Sequence, residues 1–440
     1  MDISEYKKLL SEIIKLKSIS TDSQYKDDVL KTAEWIKQTL VGYGFEAQTI
    51  TEGKMNPYVV ASYKVSDDAE TVLIYGHYDV QPASKEDGWS SDPFELTERK
   101  GKLIARGAID NKGQFMVHLY TIGKLIKQGK LKYNVKFLIE GNEETGNTEI
   151  GDFIAKNLDL LAADYVMVSD GETTADRPTI DVGFRGNVSL TVTYRTAKNN
   201  LHSGIYGGAA PSAPMELAKL ITKIYNDKNQ VSYQSFYNGV AEVTQEELEN
   251  NKSIPFDMSS FTNQTGIRQL KTEEGIDFFT QTGLRPMITV SGIQSGYTGE
   301  GYSNIVPGTA FAKINIRLVA NQDPEKVIQD FTKFVEDNTP EYVDWDIESE
   351  SPCKAIKMDT SSAKFQEVKE LAEKAYGDKV LFKYVGGSIP VINDFKEKMG
   401  QETISVSMAG EDCNMHGIDE NFSIDLLEKG LKFSELFFSK

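Results

Sequence analysis

Two apolar patterns alternate along the first third of the chain. About 28–41 and 112–128 repeat apolar residues every three or four positions, which predicts amphipathic helices. The segments 71–75, 135–139 and 165–168 are apolar throughout, as strands buried on both faces are. Strands separated by helices indicate an α/β fold, with a mostly parallel sheet and helices on both of its faces.

The pattern changes near 183–186. The segment 188–194 alternates apolar and polar residues, which is typical of a strand with one solvent-exposed face. The chain has 440 residues, and single cores stop growing at about 250–300 residues. We therefore expect one domain formed by 1–186 and 353–440, where the α/β pattern returns, with an inserted α+β domain at 187–352.

Composition argues against several functions. With 48 Lys and Arg against 66 Asp and Glu, the net charge is −18, which argues against binding to nucleic acid or to an anionic membrane. No run of about 18 apolar residues is present, so we expect no membrane span. The N-terminus lacks the apolar core of a signal peptide, and Cys353 and Cys413 alone cannot form a disulfide framework. These features predict a cytoplasmic protein.

Acidic residues and a histidine follow the predicted strands of the first domain. Because ligands bind beyond the carboxyl ends of strands in open α/β sheets, we expect these side chains to converge. Several carboxylates in one place repel one another unless a cation lies among them, so the sequence predicts a divalent metal site. The segments concerned are GHYD at 76–79, RGAIDNKG at 106–113, EGNEE at 140–144 and SDG at 169–171.

A set of motifs extends this pattern along nearly the whole chain. They are YGHYDVQP at 75–82, WSSDPFEL at 89–96, ARGAIDNKG at 105–113, EGNEETG at 140–146, SDG at 169–171, LHSGIYGG at 201–208, GYSNIVP at 301–307, INIRLV at 314–319, GGSIP at 386–390 and MHG at 415–417. In this order they resemble the two-metal (co-catalytic zinc) metallopeptidase family of carnosinases, cytosolic dipeptidases, aminoacylases and succinyl-diaminopimelate desuccinylases. The first two motifs are most similar to the dipeptidase and carnosinase branch.

The resemblance implies a centre of two divalent metal ions in each subunit. Asp110 would bridge the two ions. His77 and Asp170 would complete the site of one ion, and Glu144 and His416 would complete the site of the other. Two histidines and three carboxylates suit zinc, with manganese as the alternative, better than calcium.

The resemblance also implies catalytic residues. Asp79 would orient the ring of His77, and Glu143 would be the general base for a hydroxide that bridges the two metals. His202, in the inserted domain, would reach the active site of the partner subunit and stabilise the oxyanion. The chain would then be a homodimer whose active sites are completed in trans, with the inserted domain serving as lid and dimerisation domain.

Four further positions match residues that bind substrate in the family. Arg317 would hold the terminal carboxylate of the substrate, a group that suits the planar guanidinium fork. Asn304, Gly387 and Ser388 would also contact the substrate. Where the family often has a second aspartate after the bridging one, this chain has Asn111, which leaves the implied ligand set intact.

We therefore predict a metal-dependent dipeptidase that hydrolyses dipeptides with a free C-terminal carboxylate. The alternative with the same metal centre is an N-acyl amino-acid deacylase or desuccinylase, which is indifferent to a free α-amine. A catalytically inactive metal- or ligand-binding protein would be favoured if a ligand or Glu143 were missing, and none is. For Cys413, near His416, the alternatives are a stray thiolate ligand or a small buried residue.

Overall fold

The computed structural model describes residues 1–350, 352–387 and 389–440, which form two compact units. The first unit comprises Met1–Val182, Met358–Lys383 and Val391–Lys440, and the second comprises Gly183–Lys357 and Tyr384–Pro390. The sequence predicts domain boundaries at 186 and 352. It also assigns 384–390 to the first domain, whereas this segment belongs to the second unit.

Helices and strands alternate along the chain. The N-terminal elements are α1 Ile3–Ile14, α2 Lys26–Gly42, β1 Glu46–Ile50, β2 Tyr58–Tyr63, β3 Thr71–His77, β4 Thr97–Arg99, β5 Lys102–Ile104, α3 Lys112–Gln128, β6 Asn134–Glu140, α4 Ile150–Lys156, α5 Leu158–Leu161, β7 Tyr165–Val168 and β8 Thr179–Phe184. Next come β9 Gly186–Arg195, β10 Leu201–His202, α6 Ser203–Tyr206, α7 Ala213–Thr222, α8 Gln245–Ser253, α9 Met258–Thr265, α10 Phe278–Leu284, β11 Met287–Ser295, β12 Ile305–Val306, β13 Thr309–Leu318, α11 Pro324–Asn338, β14 Asp344–Ser349 and β15 Ile356–Lys357. The C-terminal elements are α12 Ala363–Tyr376, β16 Leu381–Val385, α13 Pro390–Asp394, β17 Thr403–Ser407, β18 Asn421–Ser423 and α14 Ile424–Phe438.

The central sheet of the first unit has the strand order β1-β2-β6-β3-β7-β17-β8. The strands β6, β3, β7 and β17 run parallel to one another. On either side of them, β1, β2 and β8 pair in the antiparallel sense. The predicted α/β fold is confirmed, and its parallel strands occupy the centre of the sheet.

Continuous apolar runs explain which segments form this centre. Residues 72–75 of β3 are at most 1% exposed, and all of β7 is buried. α2 packs against β1 and β2, while α3 packs against β3 and α14 packs against α3. α3 ends at Gly129, whose left-handed conformation (φ 65°) stops the helix. Because the central strands are parallel, the polar loops after them leave from the same edge of the sheet.

The second unit contains an antiparallel sheet with the order β11-β13-β9-β14. Along β9, every second residue from Gly186 to Tyr194 is buried, and the residues between them are more exposed. α7 and α11 pack against this sheet and complete its apolar core. The alternation at 188–194 therefore reflects a sheet that is covered by helices on one face.

The polar stretch 225–285 gives no periodic apolar signal, yet it contains α8, α9 and α10. Each of these helices begins at a side chain that accepts backbone N–H groups, namely Thr244, Asp257 and Asp277. Such a cap contributes about 1 kcal/mol, which helps short helices with little apolar surface to form. Among the residues that the structure describes, no helix is both long and apolar enough to cross a membrane.

Candidate metal centre and active site

The loops at the carboxyl edge of the central sheet bring five potential metal ligands together. His77 is the last residue of β3, and Asp110 lies just before α3. Glu144 follows β6, and Asp170 follows β7. His416 lies between β17 and β18. Because β6, β3, β7 and β17 are neighbours in the sheet, residues that are far apart in sequence meet at one place.

One cluster consists of His77, Asp110 and Asp170, whose potential ligand atoms all lie within 4.8 Å of one another. The Nε2 atom of His77 is 3.1 Å from Oδ1 of Asp110 and 3.7 Å from Oδ2 of Asp170. The three side chains are at most 9% exposed. This cluster is therefore built into the buried edge of the sheet.

The second cluster consists of Asp110, Glu144 and His416, again with ligand atoms within 4.8 Å of one another. The Nε2 atom of His416 is 2.8 Å from Oδ2 of Asp110 and 3.2 Å from Oε2 of Glu144. The His416 side chain is 54% exposed. Asp110 thus directs one carboxylate oxygen to each cluster, which is the arrangement expected of a bridging ligand.

The chemistry of these donors fits divalent metal ions. Hydrogen bonds that the imidazole of His416 donates to the carboxylates of Asp110 and Glu144 raise the pKa of His416 to about 10. Burial lowers the pKa of His77, but the neighbouring carboxylates, Asp170 first, outweigh it and raise this pKa well above the ordinary value. The carboxylates therefore favour a positive charge at both imidazoles. A divalent metal ion bound to these nitrogen and oxygen atoms would supply the positive charge in place of the imidazole protons. The imidazoles would then be neutral, as metal ligation requires.

Asp79 links the first cluster to the loop after β6. Its carbonyl oxygen is 3.1 Å and its Oδ1 atom 3.4 Å from Nδ1 of His77. The carboxylate accepts N–H groups from Glu143 at 3.2 Å and from Glu144 at 3.1 Å. It also accepts the hydroxyl of Ser20 at 2.6 Å. Asp79 therefore combines the ring contact implied by the resemblance with the capping of backbone N–H groups.

Glu143 lies beside both clusters without belonging to either. Burial raises the pKa of Glu143 to about 8. His77 acts in the opposite direction, whereas the carboxylates of Asp170, Glu144 and Asp110 contribute to this raised value. A carboxylate with a raised pKa can accept and return a proton near neutral pH, which is the property that a general base needs.

Asn111 has a structural role that the sequence analysis does not assign. Its amide group donates hydrogen bonds to Oδ1 of Asp170 and to the carbonyl oxygen of Ser169, both at 2.7 Å. The peptide bond between Asp110 and Asn111 is cis. Asn111 therefore holds the Asp170 carboxylate from the side, and only the folded sheet reveals this contact because the residues are distant in sequence.

His202 and Asn304 belong to the second unit. His202 ends β10 and is exposed, and its Nδ1 atom accepts the N–H of Gly204 at 3.0 Å. β10 pairs with β12, and the carbonyl oxygen of Asn304 accepts the N–H of Ser203 at 2.9 Å. The structure therefore brings the His202 and Asn304 segments together.

Arg317 and Gly387 also belong to the second unit, and Ser388 lies outside the described residues. The half-buried Arg317 side chain makes no hydrogen bond or ion pair with the part of the chain that the structure describes. Burial lowers the pKa of Arg185 to about 10, and the charge of Arg317 adds to this effect. Arg185 donates its backbone N–H to the carbonyl oxygen of Gly387 at 3.1 Å. No sequence motif marks Arg185 for a role.

Cys413 is buried, and its Sγ atom lies 3.4 Å from Oε1 of Glu172. Burial, followed by Glu172, raises the pKa of Cys413 to about 12, which favours the neutral thiol. Within the described chain, Cys413 is in neither cluster of potential ligands. These contacts agree with the alternative of a small buried residue.

A carboxylate shared between two clusters of His and acidic side chains, with a further carboxylate beside them, defines the class of metal-dependent hydrolases. The family model described as Peptidase family M20/M25/M40 matches residues 73–440. The chain belongs to this family. It is a metallopeptidase, a hydrolase that acts on peptide bonds, and the predicted membership is confirmed.

Similar proteins cover most of the chain. The Cys-Gly metallodipeptidase DUG1 of Saccharomyces cerevisiae is 25% identical over 449 residues, which is 96% of this chain and 92% of that protein. The Beta-Ala-His dipeptidase of Homo sapiens is 26% identical over 396 residues, which is 87% of this chain and 77% of that protein. The M20 family metallo-carboxypeptidase Sso-CP2 from Sulfolobus solfataricus has a solved structure with a TM-score of 0.85 and 32% identity, covering 100% of this chain and 99% of that one.

Proposed function

We propose that the protein is a two-metal dipeptidase that hydrolyses dipeptides with a free C-terminal carboxylate. The observation that carries this proposal is the Asp110 carboxylate, which directs one oxygen to each ligand cluster while Glu143 lies beside both. The similarity to dipeptidases along nearly the whole chain supports the choice of substrate class.

In this proposal each chain holds two divalent ions, with zinc as the first candidate and manganese as the second. His77, Asp110 and Asp170 would hold one ion, and Asp110, Glu144 and His416 would hold the other. When bound, the ions supply Lewis acidity that polarises the substrate carbonyl and activates water.

Glu143 accepts the proton of the attacking water and returns it to the leaving amine. Asp79 accepts the backbone N–H groups of Glu143 and Glu144, so it holds the general base in place relative to the ligand next to it. The same Asp79 contacts Nδ1 of His77 and thereby leaves Nε2 of that ring free to face the cluster.

His202 stabilises the oxyanion in the active site of the partner subunit. Its Nδ1 atom accepts the N–H of Gly204, so the neutral imidazole carries its proton on Nε2. The exposed Nε2–H group is then a hydrogen-bond donor available to an oxyanion, and such donors stabilise charge that develops in the transition state.

Arg317 binds the C-terminal carboxylate of the substrate. A guanidinium without a partner in the described chain suits a ligand carboxylate, which it can bind in a bidentate geometry. The segments of Asn304, Gly387 and Ser388 contribute further contacts to the substrate in this proposal.

A homodimer follows from the proposed role of His202. The second unit exposes large apolar side chains, including Ile205 and Met215 on α6 and α7 and Ile293 on β11. β11 is also an edge strand of the described four-stranded sheet, so its outer backbone groups are available to a second copy. Self-complementary two-fold contacts are the commonest form of protein association. A cytoplasmic location stays a prediction from the sequence.

A substrate panel on metal-reloaded protein tests the proposed substrate class. A dipeptide, its C-terminal amide, an N-acyl amino acid and a longer peptide should be compared under the same conditions. We expect the dipeptide to be hydrolysed best and the amide to be poor. Preferential hydrolysis of the N-acyl amino acid would establish the deacylase alternative. Equal hydrolysis of the longer peptide would indicate a carboxypeptidase, the activity named for the 32% identical structure.

Subunit mixing tests the role of His202. His202→Ala chains and Glu143→Gln chains should each be nearly inactive alone. With random exchange, half of the dimers are mixed and each has one intact site of two, so activity should recover to about a quarter of wild type if sites are independent. A mixture that stays inactive, although native mass spectrometry detects mixed dimers, would show that His202 does not act across the interface.

A further inference from the structure

Arg106 and Glu420 form a buried ion pair in the first unit. Arg106 is 3% exposed and Glu420 is 0% exposed. The Nη1 atom of Arg106 donates to Oε2 of Glu420 at 2.6 Å. The guanidinium also lies over the ring of Trp89, with 5.3 Å between Cζ and the ring centroid. Burying two charges is costly unless further hydrogen bonds satisfy both groups, so the remaining contacts of the pair are informative.

The second oxygen of Glu420 holds the backbone at the shared metal ligand. Oε1 of Glu420 accepts the N–H of Ile109 at 3.0 Å and the N–H of Asp110 at 3.1 Å. These two N–H groups lie just before α3, outside its hydrogen-bonded turns. Glu420 therefore fixes the peptide segment from which the Asp110 carboxylate extends.

The second amino group of Arg106 holds the backbone at the exposed ligand. Nη2 donates to the carbonyl oxygen of His416 at 3.1 Å and to that of Gly417 at 3.3 Å. His416 has a left-handed backbone (φ 59°) and lies outside the helices and strands. The Arg106 guanidinium therefore holds the backbone of the turn that presents the His416 imidazole.

We propose that the Arg106–Glu420 pair positions Asp110 and His416 relative to each other and so determines the metal affinity of the cluster that contains them both. This inference rests on the proposed metal sites. Without Arg106, the turn at His416 would lose two of the hydrogen bonds that order it, so the metal ion would have to supply more of that order, and the cost in conformational entropy would reduce the affinity. Both residues are positioning residues, because neither extends a donor atom into a ligand cluster of the described chain.

The contacts of Arg106 predict an unequal effect on the two clusters. Its guanidinium touches the His416 turn directly, whereas it reaches Asp110 only through Glu420. His77 and Asp170 have no hydrogen bond to the pair in the described chain. Changes at Arg106 should therefore weaken the cluster with His416 and spare the cluster with His77.

Two variants separate positioning from folding. Arg106→Lys keeps the charge beside Glu420, but an ammonium lacks the fork needed to reach the carboxylate and both carbonyl oxygens together. The double variant Arg106→Met with Glu420→Gln removes the buried charges and keeps an oxygen that can accept the N–H groups of Ile109 and Asp110. Arg177→Lys is the matched control, since half-buried Arg177 bonds to the carbonyl oxygen of Lys379 and pairs with Asp378, outside the turn at His416.

Cobalt titration of the metal-free full-length protein tests this inference. Absorption spectra and elemental analysis follow the two binding steps, and His416→Ala identifies the step that belongs to the exposed cluster. In Arg106→Lys and in the double variant, we expect that step to weaken by about 10- to 100-fold, the range typical of residues that orient metal ligands. The other step and the Arg177→Lys control should match the wild type.

Each result separates the inference from the function on which it rests. If the wild type shows two binding steps and neither step changes in the two Arg106 variants, the positioning role is wrong but the two-metal function stands. Equal weakening of both steps, together with a lowered melting temperature of the metal-free protein, would show that the pair only stabilises the fold. A wild-type protein that binds fewer than two ions would overturn the proposed two-metal function and the inference with it.

Discussion

The two ligand clusters share Asp110 but differ in exposure and in support. In one cluster, the imidazole of His77 is 1% exposed and belongs to the end of β3. In the other, the imidazole of His416 is 54% exposed and extends from a loop. The hydrogen bonds of the sheet therefore hold one ligand, whereas the turn that carries the other is held by its own short-range hydrogen bonds and by the long-range contact with Arg106.

This difference means that two clusters of potential metal ligands with similar donors can depend on the fold in different ways. The cluster with His77 stays organised as long as the central sheet is intact. The cluster with His416 needs the loop to keep its conformation as well. We therefore expect the exposed cluster to exchange its ion more readily and to be more sensitive to distant substitutions.

The largest effect on activity is expected at Glu143, the carboxylate that lies beside both clusters. Glu143→Gln keeps the shape of the side chain but removes its ability to accept a proton, so kcat should fall by at least about 100-fold. Metal content should stay at the wild-type level, because Glu143 is in neither cluster. Steady-state kinetics with elemental analysis provide the check, and near-normal turnover would remove Glu143 from the mechanism.

Ligand substitutions test the comparison directly. His416→Ala should abolish one binding step and leave the affinity of the other within a few-fold, because the buried cluster keeps all of its ligands. Loss of a residue that only orients a metal ligand typically weakens metal binding by about 10- to 100-fold. His77→Ala removes a ligand, so it should weaken binding at the buried cluster by more than that. It should also lower the melting temperature more than His416→Ala does. The two clusters would not differ as described if the melting temperatures of the two variants fell equally.

Arg317→Ala tests the role of the second unit in substrate binding, apart from either ligand cluster. Hydrogen bonds to charged groups contribute about 1.5–3 kcal/mol, so KM for dipeptides should rise by about 10- to 100-fold. The C-terminal amide should be affected little, and Arg195→Ala provides a control on the same sheet, since Arg195 is an exposed residue of β9. An equal loss on acid and amide would assign Arg317 to structure.

The regions that the sequence predicts well are those whose signal is local. The buried runs of β3, β6 and β7 and the amphipathic α3 lie close to their predicted positions, because apolar periodicity depends only on neighbouring residues. The short helices α8 to α10 were not predicted, since capping side chains support them more than apolar periodicity does.

The candidate site likewise contains residues that local motifs predict and contacts that they do not. His77 and Asp110 stand in motifs beside a strand and a helix, so the sequence alone places them near each other. The contact between Arg106 and Glu420 joins residues that are 314 positions apart, and no local pattern marks it. The same holds for the amide of Asn111 and the carboxylate of Asp170, which only the strand order brings together.

The smallest effect concerns a buried acid outside both clusters. Burial raises the pKa of Asp181 on β8 to about 6, although Lys383 and Ser407 act in the opposite direction. The pKa of an aspartic acid in an unfolded chain is about 3.9. Between these values the folded protein keeps a proton that the unfolded chain releases, so the free energy of unfolding falls as pH rises, by up to about 3 kcal/mol.

Asp181→Asn should remove this pH dependence. In chemical denaturation of the metal-free protein, the variant should gain stability relative to the wild type between pH 4 and pH 7, whatever its stability at the lower pH. Asp68→Asn is the control for the substitution itself, since Asp68 is an exposed acid between β2 and β3 that makes no ion pair in the described chain. A constant difference between Asp181→Asn and wild type across this range would contradict the expected titration.

A zinc titration of the metal-free wild-type protein, with dipeptide hydrolysis measured at each point, tests the two-cluster account most directly. The account predicts saturation at two ions per chain, in two steps of different affinity, with His416→Ala lacking one of them. Saturation at a single ion per chain with full peptidase activity would contradict it.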